Sequence, residues 1–153
     1  MQKTGKKGRM LARRLYVSRI LGLTLGLLLV SAAVFPLEPA PWVWGFMLFN
    51  GLIWPHVAYG WGRHCSSPYH AEHLNLLIDA ALGGFWVAAM QFNPLPTAVT
   101  LAMMAMNNVA IGGLRFLLIG APAQVAGIVV GVLIFPLPSV PMTRPGQIYA
   151  CFP

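Results

Sequence analysis

Few side chains in this sequence could do chemistry inside its apolar stretches, and each is worth locating first. Asp79 lies within an apolar run, and His56 follows Pro55 within another. An ionisable group in hydrocarbon is costly, on the order of 3 kcal/mol, so each raises a functional hypothesis. If Asp79 and His56 met, the pair would relieve that cost and could titrate near neutral pH. A bond that merely locks two helices together is the plainer outcome, and a side chain reaching to water without a pair is a third. Asn75 precedes Asp79 by one helical turn and shares its face. Asn107 and Asn108 are two further amides in an apolar run. Amides in lipid typically join helices, each bond contributing about 0.6 kcal/mol; contact with a ligand is the alternative. Arg115 could reach lipid headgroups or Asp79. His56, Asp79, Asn75, Asn107 and Arg115 are therefore the candidates for sensing a signal or coupling helices. No set of residues suggests a catalytic centre.

His64, Cys65, His70 and His73 crowd one polar stretch around Glu72. Their softness would permit a transition metal. Only His70 and His73 have a helical spacing, however, and Pro68 separates them from Cys65. A solvated loop with chance histidines is the expected reading, with no metal and no cofactor. Cys65 and Cys151 give neither a zinc spacing nor a disulfide framework.

Two Gly-x-x-x-Gly patterns occur, Gly22 with Gly26 and Gly127 with Gly131. Small residues at this spacing let helix backbones approach closely, within one chain or across a homodimer. Pro55 is expected to kink its helix, because its ring removes one backbone hydrogen bond.

The elements that must hold these residues follow from composition. The 153 residues are 58% hydrophobic and 8% charged, against about 25% charged in a soluble domain. So few charges cannot build a polar shell, and lipid is the expected solvent. Seven of the ten basic residues (Lys3, Lys6, Lys7, Arg9, Arg13, Arg14 and Arg19) precede or open the first apolar run. That clustering points to anionic headgroups, at roughly 1 kcal/mol per charge, rather than to nucleic acid.

Apolar runs then recur: Ile20 to Phe35, Trp42 to Trp61, Leu74 to Phe92, Thr97 to Ile111, and Phe116 to Leu137. The first reaches about 20 residues if Val17 and a snorkelling Arg19 extend it. A signal peptide is the competing reading of that run, disfavoured by its long basic lead and the four runs that follow. The breaks are Pro36 to Pro41, a polar loop from Arg63 to His73, a tight turn Asn93-Pro94-Leu95-Pro96, and Gly112 to Arg115. Trp42, Trp44, Tyr59 and Trp61 sit where an aromatic belt belongs. The expected fold class is all-α: a polytopic transmembrane helix bundle of about five spans plus the start of a sixth. Its parts are a basic cytoplasmic segment (1–16), a transmembrane domain (17–137) and a Pro-rich tail (138–153) that opens a truncated sixth helix at Gln147. With the N-terminus inside, Arg63 and Arg115 join the leading seven basic residues in the cytoplasm, and only Arg144 lies outside with Glu38. The positive-inside rule favours that orientation.

At Trp54-Pro55-His56-Val57-Ala58 the sequence resembles the membrane-associated sensor domain of the second type, the MASE family type 2. Further matches run in order: Ala12-Arg13-Arg14, Asn75 to Ala80, Gly84-Phe85-Trp86-Val87, Asn93 to Pro96, Met106-Asn107, and Gly112 to Arg115. The resemblance covers about residues 10–120. It implies an N-terminal sensory module of about six helices in the bacterial inner membrane. The last helix would join a diguanylate or adenylate cyclase domain. These residues carry no Gly-Gly-Asp-Glu-Phe signature, so the resemblance implies a regulatory membrane part rather than an enzyme. The expected partners are the lipid bilayer, a cyclase domain in the parent chain, and a second copy in a homodimer. A small transporter or channel, or a purely structural membrane subunit, is the alternative.

Overall fold

The computed structural model describes residues 2–65, 67–135, 148, 149 and 151. The remaining stretch to the C-terminus, where the truncated sixth helix was expected, lies outside the described residues apart from those last three. Among the described residues every regular element is helical. Helix α1 spans Gln2–Val34, α2 Pro41–Leu48, α3 Trp54–His64, α4 Pro68–Ala89 and α5 Pro94–Ile134.

Three segments are long and apolar enough to cross a membrane: Tyr16–Leu37, Pro94–Ile111 and Gly113–Ile134. Only 22%, 17% and 17% of their most apolar windows are buried within the chain. Leu21, Leu25, Leu118 and Leu133 instead point outward. An apolar exterior of that extent suits lipid rather than water. The other two expected spans are less simple. The run from Trp42 is divided among α2, a π-helical turn at Phe49–Ile53 and α3. Helix α4 carries Glu72, Asn75 and Asp79.

The breaks have local causes. After α1 a 3-10 turn at Phe35–Leu37 ends on Glu38 in the left-handed region, φ 48. The π turn ends two residues before Pro55, whose ring lacks an N–H and crowds the carbonyl one turn back. The expected kink at Pro55 is thus met by a widened turn. The turn expected at Asn93 to Pro96 falls slightly earlier, at Gln91 and Phe92, with φ 52 and 54. Pro94 already opens α5, as proline suits the first helical position. Within α5 the helix breaks at Gly113, with φ 65 and ψ −163, a conformation that glycine adopts without steric cost. That divides α5 into a first arm, Pro94–Ile111, and a second, Gly113–Ile134.

One expectation needs correcting. The stretch Arg63 to His73 is not a loop throughout, because α4 begins at Pro68. Ser67 precedes it, its carbonyl accepts the Ala71 N–H at 3.1 Å, and its hydroxyl lies 2.8 Å from His70 Nδ1. Ser-Pro is a helix-start signal, and it makes His70, Glu72 and His73 helical.

The chain divides into two compact units. One combines the chain up to Leu27 with Pro39–Asn75; the other combines Leu28–Glu38 with the chain from Leu76 onward. In the first, Gly51 lies against Leu27, where a Cβ would stand 2.9 Å from the leucine Cβ. In the second, α4 packs on both arms of α5. A Cβ at Gly127 or Gly84 would strike the backbone carbonyl of Ala81 or Gln124, and one at Gly83 would meet Met104 at 3.0 Å.

Candidate functional site: a polar cluster in the first unit

Arg19 and Glu72 are fifty-three residues apart in sequence and form a buried ion pair. Arg19 Nη1 and Nη2 each lie 3.2 Å from Glu72 Oε2. The whole Glu72 residue has no exposed surface, and Arg19 only 7%. The guanidinium fork thus grips one carboxylate oxygen. The other, Oε1, lies against Gly62, where a Cβ would collide with it. Gly62 is buried on α3 and admits the carboxylate because it has no side chain. Three helices therefore contribute: α1 the cation, α4 the anion, α3 the space.

This arrangement corrects two expectations. Arg19 does not snorkel to the surface, and Glu72 is not in a solvated loop. The reason lies in the early start of α4, which turns Glu72 onto the stripe it shares with Asn75 and Asp79, at positions i, i+3 and i+7. The signal was present in the sequence. Glu72 is one of three acidic residues, and the Ser-Pro start puts it inside a helix.

Around the pair are further bonds. Asn75 is fully buried, and its Nδ2 donates to the Ala58 carbonyl at 3.0 Å, tying α4 to α3. Asn75→Leu is expected to cost about 0.6 kcal/mol and at most about 2, since the bond is a helix-joining amide in an apolar setting. Thermal unfolding in detergent checks this, and an unchanged midpoint would show the bond to be idle. His56 is on the exposed side of α3. Its Nδ1 lies 2.9 Å from the Tyr16 hydroxyl, which donates when the ring carries its proton on Nε2. Tyr16 also stacks on Tyr59, ring centroids 4.4 Å apart. Sequence reasoning selected His56 and Asn75 but missed Tyr16, Arg19 and Glu72, the partners that α1 and α4 bring to them.

The other candidates are placed as follows. Asp79 is buried on α4 in the second unit, 4% exposed. Asn108 is buried, with its amide against Gly120, whereas Asn107 is half-buried. Arg115 is exposed at the start of the second arm of α5. Pro55 is buried beside the π turn. Gly127 and Gly131 both lie against α4, the latter near Ala88 and Phe85; around Gly22 and Gly26 a Cβ would meet nothing within 4 Å. Among the described residues, no three His, Cys, Asp or Glu side chains gather where they could hold a metal.

Comparison with known proteins bears on the chain as a whole. Residues 14–102 match the MASE2 domain. Two curated relatives, each a "Probable diguanylate cyclase DgcC", come from Escherichia coli strain K12 and strain O6:H1. Each is 32% identical over 127 residues, which is 82% of this chain and 34% of the relative. The chain thus spans about a third of the length of these relatives. No solved structure matches. The matched stretch begins just before the Tyr16–Leu37 segment and includes Arg19, His56, Gly62, Glu72 and Asn75. Apolar helices turned outward and a match over more than half the sequence converge: this chain belongs to the MASE2 family of membrane-associated sensor domains.

Proposed function

We propose that this chain is the membrane sensory and regulatory module of a bacterial nucleotide cyclase, and that the catalytic domain lies elsewhere in the parent protein. The observation that carries this reading is the alignment of 82% of the chain with only 34% of a probable diguanylate cyclase. That relative favours cyclic di-GMP over cyclic AMP as the parent's product. A stimulus acts by favouring one helix arrangement over another, which then biases the cyclase. His56, Asp79, Asn75, Asn107 and Arg115 are the residues proposed to sense or couple, and Gly22 with Gly26 offers a face to a second copy. A domain graft tests the reading. Residues 1–153 in place of the matching part of the Escherichia coli K12 relative should give a membrane-bound protein that makes cyclic di-GMP. In that chimera His56→Ala and Asp79→Asn should change regulation without lowering expression. A chimera that reaches the membrane in normal amount yet stays silent under every condition that activates the parent would overturn the reading.

The proposed topology has five spans in the inner membrane: Tyr16–Leu37, the α2–α3 stretch, α4 and the two arms of α5. The N-terminus is cytoplasmic because the basic residues concentrate on that side. With Cys65 and Cys151 replaced by serine, a cysteine at Glu38 or Pro94 is expected to react with an impermeant maleimide on intact cells. One at Arg63 or Leu114 should react only after permeabilisation. Labelling of Arg63 and Pro94 positions from the same side would remove α4 from the list of spans.

A further inference from the structure

We infer that the Arg19–Glu72 pair sets the register of α1 against α4, with Gly62 fixing where the pair can form; this deepens the sensory reading and rests on it for its biological meaning. Apolar attraction is non-directional, so helices joined by Leu, Val and Ala alone can pack at neighbouring registers with little difference. The ion pair removes that freedom. Both Arg19 nitrogens converge on a single oxygen, Glu72 Oε2, at 3.2 Å. The second carboxylate oxygen occupies the space that a Cβ at Gly62 would take. Sliding α1 by one helical turn, about 5.4 Å, would carry the guanidinium away from a carboxylate that has no exposed surface. Stability alone does not call for such a pair, because apolar replacements of similar size are often neutral or favourable. A single permitted alignment is what the charges add.

The test measures register directly and does not depend on any cyclase. The full chain, with Cys65 and Cys151 changed to serine, is spin-labelled at Val17→Cys and Leu74→Cys. Both positions are exposed, at 57% and 46%, on α1 and α4. In lipid nanodiscs the wild-type pair should give one narrow distance by pulsed electron paramagnetic resonance. Arg19→Met with Glu72→Met should give a broadened or two-peaked distribution, because a slip of about 5.4 Å along the axis changes the distance between the labels by up to that amount. A single narrow peak at the wild-type distance in that double variant would overturn the inference. Gly62→Ala supplies a second variant that keeps both charges but puts a methyl where the carboxylate lies. Its main distance should shift, and an unmoved peak would likewise overturn the inference. Failure of the domain graft with these distances as expected would refute the cyclase reading and leave the register role standing.

Discussion

Arg19→Ala is expected to destabilise the protein by roughly 3–5 kcal/mol. The substitution leaves Glu72, with no exposed surface, facing the space its partner vacated. Glu72→Ala should cost about as much by removing the carboxylate that neutralises a guanidinium only 7% exposed. Removing both charges is a different matter. Arg19→Leu with Glu72→Leu takes away the attraction together with the cost of keeping two ions out of water. Pairs treated this way in other proteins come out neutral or more stable, by about 1–4 kcal/mol. The double variant should therefore be much closer to wild type than either single one, a non-additivity that reports contact between the two side chains. Unfolding midpoints of the three variants in one detergent check this. Two single losses that simply summed in the double variant would mean that the residues act independently.

The second large effect concerns glycines that look alike in the sequence. Gly127→Leu is expected to disrupt packing of the second arm of α5 on α4. Gly127→Ala should already cost about 1–3 kcal/mol, the range for overpacking a close contact. At this position a Cβ would strike the Ala81 carbonyl, which is backbone and cannot swing aside. The helices would have to separate instead, and the neighbouring contact of Gly84 with the Gln124 carbonyl would open with them. Gly22→Ala supplies the contrast. A Cβ there meets nothing within 4 Å, so the change should be neutral or mildly stabilising, by at most about 1 kcal/mol. Comparable losses at Gly22 and Gly127, measured by thermal unfolding of the monomer, would contradict this account of the two motifs.

The correction around Glu72 has a simple lesson about helix starts. The composition of Arg63 to His73 predicts a loop, while Ser67 and Pro68 carry the opposite message in their own chemistry. Proline without an N–H loses nothing at the first position of a helix, where that donor has no intrahelical partner. Giving that signal its weight moves Glu72 from water to the inner face of α4, where a chain holding three acidic residues has placed one of them opposite an arginine.

What the sequence determined by itself was the solvent and the punctuation. Long apolar runs with few charges select lipid, and Pro36, Pro55, Pro94 and Gly113 mark interruptions because proline's restricted backbone and glycine's permissive one are properties of single residues. The order of family motifs was legible for the same reason, being written along the chain. What only the tertiary structure decided was partnership. Arg19 lies fifty-three residues from Glu72, and nothing local in either segment names the other. Nor does spacing reveal which Gly-x-x-x-Gly faces a backbone carbonyl and which faces open space. A residue's own conformational limits are local, whereas a contact depends on where two distant helices are brought together by everything else that packs between them.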